Sequence, residues 1–517
     1  MLKKSNRAIK AYHNLVNRNV SSKPRIIKYK LCSHTLFRTC NFSESYELCL
    51  RQFLTEKILH RDFLLRLVLS INGEGGIKFD IPNIWLKELS KQGVKLTRIN
   101  LLFNLGWHVL QIKLIFSSIA KLILMIYRIF RSTTKLDGEY TYVHGLDYQQ
   151  VRKAQENNHD FVSFIDQIIK HSDSTANNNH NFIIDAKHPQ SLINDKYLLL
   201  ASSIPFVNLS LVNKMSVLLA LFFTTYRLFL LLLKCRNLYM MIITHEIFLE
   251  EFASLLSNSS LPSKVYYPFT GRYLKPLWLD NASISNNLVF YSGNIKFVRK
   301  VDTDPSCLPL HLLNWNNYIV ISECEKDKLS QMGLVGNFDI YGPFEYQPRF
   351  LKNLSSYRCK KILSVFEILP LSTYRQAWHA ADFPYYDISI YKKFFTDLID
   401  LSNKYGYLII TKSKNNSIDS NRHEDSFSFL NQLLTNHSLV QIDADLSAEC
   451  LIKVSNAVVC MPMTNVAHLA IKYDKPTRYY SATGSRTDLI FDGSCGVEVI
   501  NDKQKLEKWF ISLEKFK

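Results

Sequence analysis

A strand that runs straight into a short helix carries the strongest chemical signal in this chain. Ala457–Met461 is an unbroken apolar run, Pro462-Met463-Thr464 follows, and Asn465–Lys472 has helical spacing. Thr464 or Asn465 stands where a helix N-cap is expected. The unpaired N–H groups of a helix start, with its dipole, attract phosphate, and small hydroxyl and amide side chains let one approach. The same pattern describes an ordinary capped helix in a βαβ unit, and the residues alone leave both readings open. Two further strand ends add charge. Glu367 follows the predicted strand Lys361–Phe366, and Lys412 and Lys414 follow Tyr407–Thr411. Strands of one parallel sheet turn their carboxyl ends to one crevice. A lysine there neutralises a phosphate, and Glu367 holds a ribose hydroxyl or orients a lysine. A solvated loop charge is the plainer alternative for each.

For catalysis the candidates are His245 and Glu246, at the end of a predicted strand Tyr239–Thr244, and Asp280, just after Pro276-Leu277-Trp278. Each fits a general base for an acceptor hydroxyl, the carboxylates also fit a nucleophile, and each fits a structural cap equally well. Asp443-Ala444-Asp445 precedes Leu446-Ser447-Ala448-Glu449 and reads as a helix start, not a metal pair. No catalytic metal is expected. Hydrolase nucleophile elbows, P-loops and G-x-G-x-x-G fingerprints do not occur.

The elements that must position these residues change character along the chain. Residues 1–135 are expected to be mainly helical and basic, with helical patterns over Ser45–Ile71 and Leu101–Arg131. From about 139, short strands alternate with helices. The predicted strands are Tyr140–Gly145, Phe182–Asp185, Tyr197–Ser203, Tyr239–Thr244, Lys264–Pro268 and Asn287–Ser292, then Tyr318–Ser322, Phe338–Tyr341, Lys361–Phe366 and Tyr407–Thr411, and finally Leu439–Asp443, Ala457–Met461, Thr477–Tyr480 and Gly496–Ile500. This alternation predicts an α/β chain with parallel sheets. Two Rossmann-like domains accommodate that many strands: 136–310, with an inserted apolar helix 215–233, and 311–500. A cleft between two such domains suits a bulky activated sugar, the second holding the nucleotide and the first the acceptor. A last helix within 501–517 is expected to pack back across the join.

Composition narrows the partners. Of 517 residues, 47% are hydrophobic and 21% charged, which supports a folded core. The net charge of +18 suits an anionic partner. The basic residues are dispersed and no nucleic-acid motif is present, so nucleic acid is not expected. Ten cysteines with no C-x-x-C pair read as reduced thiols of a cytoplasmic protein, and the start MLKKSNRAIK lacks the apolar core of a secretory signal. Arg227 interrupts the apolar run 215–233, and an arginine at mid-bilayer costs roughly 2.5–3.5 kcal/mol. Helices lying in an anionic membrane surface are therefore preferred to a span. That reading is favoured for 101–131, whereas for 215–233 a plain core helix fits as well.

Several stretches, in order, resemble the PFTS-motif family of bacterial polysaccharide-biosynthesis proteins. Pro462-Met463-Thr464-Asn465 is similar to its Pro-Phe-Thr-Ser turn, Asp474-Lys475-Pro476 to its Gly-Lys-Pro, and Tyr479-Tyr480 to its Tyr-Tyr strand end. Pro276-Leu277-Trp278 with Tyr291-Ser292-Gly293-Asn294, Gly342-Pro343, Val365–Pro370 and Thr411–Lys414 resemble other motifs of the family over roughly 264–485. The resemblance implies a metal-independent GT-B-like glycosyltransferase making capsule, O-antigen (lipopolysaccharide) or a related glycan, peripheral to the inner membrane. Ser292, Asn294, Gly342, Pro343, Glu367, Lys412, Lys414, Pro462, Thr464 and Asn465 would line its donor site. It implies no cofactor beyond a nucleotide-sugar, with a CMP-activated ulosonic acid ahead of a UDP-sugar, and a glycan or lipid-linked glycan acceptor. A non-catalytic glycan-assembly protein is the competing expectation.

Overall fold

The computed structural model describes residues 44–54, 101–132, 135–136, 138–146, 181–186, 192–194, 197–200, 205–235, 238–268, 274–280, 283–290, 297–300, 309–331, 333–343, 361–370, 387–412, 424–442, 447–462, 464–484, 489–492 and 495–514. Among the described residues, helices α1 (Glu44–Leu54) and α2 (Leu101–Arg131) precede the first sheet. That sheet's strands begin with β1 (Tyr140–Leu146), β2 (Asn181–Ala186), β3 (Leu192–Asn194) and β4 (Tyr197–Leu200). Then come α3 (Leu211–Cys235), α4 (Thr244–Ser254), β5 (Lys264–Pro268), β6 (Ser285–Val289), β7 (Phe297–Lys300), β8 (Asn317–Val320), α5 (Glu323–Gln331) and β9 (Asn337–Ile340). The second half holds β10 (Lys361–Phe366), α6 (Ile388–Tyr405), β11 (Tyr407–Lys412), α7 (Glu424–Thr435), β12 (Val440–Ile442), α8 (Ala448–Val454) and β13 (Ala457–Cys460). It closes with α9 (Val466–Lys472), β14 (Thr477–Tyr480), β15 (Leu489–Asp492), β16 (Val499–Ile500) and α10 (Lys503–Glu514).

Two doubly wound sheets result. The first has the order β3-β4-β2-β1-β5-β6-β8-β9, parallel except for β3 at its edge. The second is wholly parallel, in the order β12-β11-β10-β13-β14-β16. The second sheet is covered on both faces, which is why β10 and β13 read as continuous apolar runs. Phe394, Phe395 and Leu398 of α6 pack with Leu506, Trp509 and Phe510 of α10 on one face. Leu451 of α8 and Ala467 and Ala470 of α9 cover the other. Helix α6 shows why it begins and ends where it does: Asp387 accepts the Ser389 N–H at 2.8 Å, and Gly406 leaves it at φ +70°.

Three expectations are corrected. Tyr239–Thr244 is not a strand: Tyr239–Ile243 is a 3₁₀ turn that runs directly into α4. Its aliphatic run is buried because α1, α2 and α4 surround it, and burial alone does not distinguish a strand from a helix. Strand β8 pairs with β6 and β9 with β8, so the first sheet runs past the boundary expected at 310/311, to Ile340. Helix α10 packs on α6 and β11 within the C-terminal unit instead of crossing to the other one, with Lys361 bonded to Glu514 at 2.7 Å and Trp509 and Phe510 in its core. The helical pattern expected beyond Leu54, to Ile71, lies outside the described residues.

Arg227, the charge that interrupts α3, faces protein. It pairs with Glu251 of α4 and the Tyr46 hydroxyl of α1, and lies 3.7 Å from Glu250. Burial raises both carboxyl groups above their ordinary range, and Arg227 opposes that rise. Arg227→Met therefore leaves Glu251 buried without its partner. The expected loss is about 2 kcal/mol, less than a dry pair would cost because the guanidinium is part-hydrated. The raised carboxyl groups bind protons in the folded state. The loss should be full above their raised folded-state range and shrink as pH falls through it, which urea melts at two pH values would read.

Candidate functional site

The second sheet reverses its direction of growth between β10 and β13. From β10 the chain adds β11 and β12 on one side, then returns to add β13, β14 and β16 on the other. Ligands of open α/β sheets bind outside the carboxyl ends of the strands at such a switch point. Here the two strand ends are stitched together: the Met461 N–H donates to the Phe366 carbonyl at 2.9 Å, and the Ile368 N–H to the Met461 sulfur at 3.3 Å. Half-buried Glu367 leaves β10 at this point, and the Tyr391 hydroxyl of α6 donates to its carboxylate at 2.5 Å. Half-buried Lys412 ends β11, the next strand over. The expected gathering of Glu367, Lys412, Pro462, Thr464 and Asn465 at one sheet edge is what the register produces.

The turn after β13 differs in detail from a side-chain-capped helix. The Thr464 hydroxyl donates back to the Met461 carbonyl at 3.0 Å, and the Thr464 carbonyl accepts from the Tyr479 hydroxyl at 2.6 Å. Asn465 occupies the N-cap position of α9 without a side-chain cap bond. With only seven residues in α9, the weight of the site shifts from the helix dipole to the switch point itself. Pro462 is buried, and burial pushes the Cys460 thiol up to about 12, so this cysteine is inert.

Helix α9 ends on Asp474, at φ +54°. The N–H groups of Asp474 and Lys475 close the helix on the carbonyls of Ile471 and Ala470, at 2.9 and 3.0 Å. This left-handed position favours glycine, the residue that the resembled motif carries there. Asp474→Gly is expected to raise stability by about 0.5–1 kcal/mol, seen as a higher urea midpoint at unchanged slope.

The first sheet has its own switch point, between β1 and β5. Its carboxyl ends carry His144 and Tyr267, which the pairing of Val143 with Tyr266 sets side by side. The rings stack with centroids 4.2 Å apart and planes at 21°. The Tyr142 hydroxyl lies 3.2 Å from His144 Nδ1. Sequence reasoning passed over this histidine. Its only signal was a titratable side chain directly after the apolar run Tyr140–Val143.

The three residues expected to do chemistry each contact a neighbouring segment of the first unit. His245 is 3% exposed, and its Nδ1 lies 2.8 Å from Ser118 Oγ of α2. Buried Glu246 accepts the Leu277 N–H at 3.4 Å and braces the Pro-Leu-Trp segment. Asp280 pairs with buried Lys275 at 2.6 Å. Lys275 is in turn held by Gln52 of α1 and the Asn314 carbonyl. His245 and Glu246 are thus buried between elements of the first unit, while Asp280 stays partly exposed beside Lys275. Gly342 and Pro343 follow edge strand β9 of the first sheet, and Gly342 takes φ +85°. Ser292, Asn294, Lys414 and the Asp443-Ala444-Asp445 loop lie outside the described residues. Among the described residues no three His, Cys, Asp or Glu side chains group as a metal site.

One pairing joins the halves. Strand β7, which follows β6, runs antiparallel to β15, which follows β14, from Phe297↔Asp492 to Lys300↔Leu489.

Two doubly wound sheets, each with a switch point, define a two-unit Rossmann-like α/β protein. Residues 218–510, more than half of the chain, match the family model described as "Polysaccharide biosynthesis PFTS motif protein". The chain belongs to that family. No curated protein sequence matches it. Similar solved structures include an Escherichia coli trehalose-6-phosphate protein bound with UDP-2-fluoro glucose (9% identity, 74% of this chain and 92% of that one, TM-score 0.40). Others are the UDP-GlcNAc 2-epimerase of Methanocaldococcus jannaschii (10%, 73% and 92%, 0.36) and Arabidopsis thaliana UGT89C1 (9%, 73% and 93%, 0.39).

Proposed function

We propose that the chain is a glycosyltransferase of surface-polysaccharide biosynthesis that holds a nucleotide-sugar at the β10/β13 switch point. The observation that carries this reading is the convergence of Glu367, Lys412 and Thr464 on that reversal, in a chain of a polysaccharide-biosynthesis family. Lys412 neutralises a donor phosphate, and Glu367, oriented by Tyr391, accepts a ribose hydroxyl. The acceptor hydroxyl meets the N-terminal unit at the β1/β5 switch point, where His144 is the candidate general base. Its proton passes to the imidazole as the new C–O bond forms at the anomeric carbon. The old C–O bond breaks, and the nucleotide leaves with the electron pair. The donor is a CMP-activated ulosonic acid, with a UDP-sugar as the second choice, and the reaction needs no metal. These finer points rest on the motif resemblance.

The test is incubation of the purified chain with panels of CMP- and UDP-sugars, with and without chelator, reading nucleotide release and thermal stabilisation. A bound donor at 100 times its Kd should stabilise by about 2.7 kcal/mol. Silence towards every donor would overturn the enzyme reading in favour of a glycan-binding assembly protein. Activity lost in chelator and restored by manganese would overturn the metal-free chemistry.

A further inference from the structure

Helices α2 and α3 are long and apolar enough over Val109–Arg131 and Leu211–Leu233 to cross a membrane, and each buries only 22% of that stretch, along one row of side chains. On α2 the buried row is Ile115, Ser118, Met125 and Ile129; on α3 it is Val217, Ala220, Thr224 and Leu231. These three- and four-residue spacings mark one face of each helix. Met125, Ile129, Val217 and Ala220 join Phe248 and Phe252 of α4 in the core. The two helices run antiparallel. Lys214, near the start of α3, donates to the carbonyls of Phe130 and Ser132 at the end of α2, at 3.0 and 2.8 Å. The turn 239–243 beyond α3 packs back on α2.

Their outward faces are apolar. Seven large apolar side chains are exposed on α2 and eleven on α3, against five elsewhere among the described residues. Phe116 is 67% exposed and Phe222 63%. Apolar faces of this extent, one on each helix, point to an occupant. Charge says which one. Neither helix contains a carboxylate. By helical periodicity Lys113, Lys121, Arg128 and Arg131 fall along one edge of the apolar face of α2. On α3, Lys214 and Arg227 both turn towards protein. An apolar face edged by cations fits hydrocarbon below a layer of anionic headgroups. A second copy docked through this face would bring the basic edge of α2 close to its own copy. A transmembrane path would drag buried His245, Glu246 and Glu251 into the bilayer with α4.

We propose that α2 and α3 together form an in-plane docking face for an anionic bilayer surface, with α3 supplying most of the apolar contact. This is independent of the reaction proposed above. The full chain should float with phosphatidylglycerol-containing vesicles, bind pure phosphatidylcholine vesicles at least about 10-fold less well, and weaken in high salt. Leu218→Glu with Phe222→Glu should reduce flotation at least about 10-fold at unchanged melting temperature, since both side chains face outward. Lys113→Glu with Arg131→Glu should remove only the preference for anionic lipid. Alkaline carbonate should release the wild-type chain from membranes. Retention through the carbonate wash, absence of flotation on any vesicle, or a vesicle-free dimer that dissociates in the Phe222 variant would each overturn the proposal.

Discussion

Thr464→Trp is expected to lower nucleotide-donor affinity at least about 100-fold, equivalent to about 2.7 kcal/mol, while the fold survives. Thr464 lies where the chain leaves β13 beside the end of β10. Its backbone has nowhere to retreat: the Tyr479 hydroxyl holds its carbonyl at 2.6 Å, and Met461 is bonded to Phe366. An indole there must project into the space where the phosphate would sit. It also removes the hydroxyl that closes the turn on Met461 at 3.0 Å, a net loss of about 1 kcal/mol of stability. Thr464→Ser keeps that bond and should bind donor within about three-fold of wild type. Calorimetric titration with the responding donor reads affinity, and far-UV circular dichroism reads the fold. Wild-type affinity in the tryptophan variant would move the donor away from the β10/β13 reversal. Asp280→Asn should leave donor affinity unchanged, because Asp280 is engaged with Lys275 in the first unit.

The C-terminal unit was legible because its strands are continuous apolar runs separated by well-punctuated helices. Ala457–Cys460 is buried along its whole length, and Asp387 and Gly406 cap the two ends of α6. What the residues did not carry was membership and facing. Nothing local in Asn317–Val320 says that it hydrogen-bonds to β6, because pairing is a long-range choice. That single choice moved the domain boundary and took Gly342 and Pro343 out of the donor unit. Tyr239–Ile243 misled for a related reason: an aliphatic run buried on every side has no polar face to reveal its period. Arg227 read as a charge in an apolar stretch, and only the packing of α3 on α4 showed that it points at Glu251. The site followed the same pattern. The residues proposed to hold the donor sit at or just after strand ends that the sequence located. The acceptor-side histidine depended on knowing that β1 lies next to β5.

His144→Asn is expected to lower kcat about 100-fold and leave donor affinity within about two-fold, because the imidazole belongs to the acceptor side. Asparagine keeps a polar group near the Tyr142 hydroxyl but cannot take a proton from an acceptor. For His144 to act as a base, Nδ1–H must donate to the Tyr142 oxygen 3.2 Å away, which puts the basic lone pair on Nε2. The stack on Tyr267 fixes the plane in which that nitrogen lies. Tyr142→Phe frees the tautomer without removing the base, so its kcat should fall only about five-fold, equivalent to about 1 kcal/mol. His245→Asn separates chemistry from scaffolding. It breaks the contact with Ser118 at 2.8 Å between α4 and α2, so melting temperature should fall while the folded fraction keeps its kcat. If His144→Asn turns over at the wild-type rate and His245→Asn does not, the base lies at the start of α4 and the acceptor cannot sit at the β1/β5 switch point. The reverse result ties the acceptor to a strand reversal in the N-terminal unit, as the donor is tied to one in the C-terminal unit.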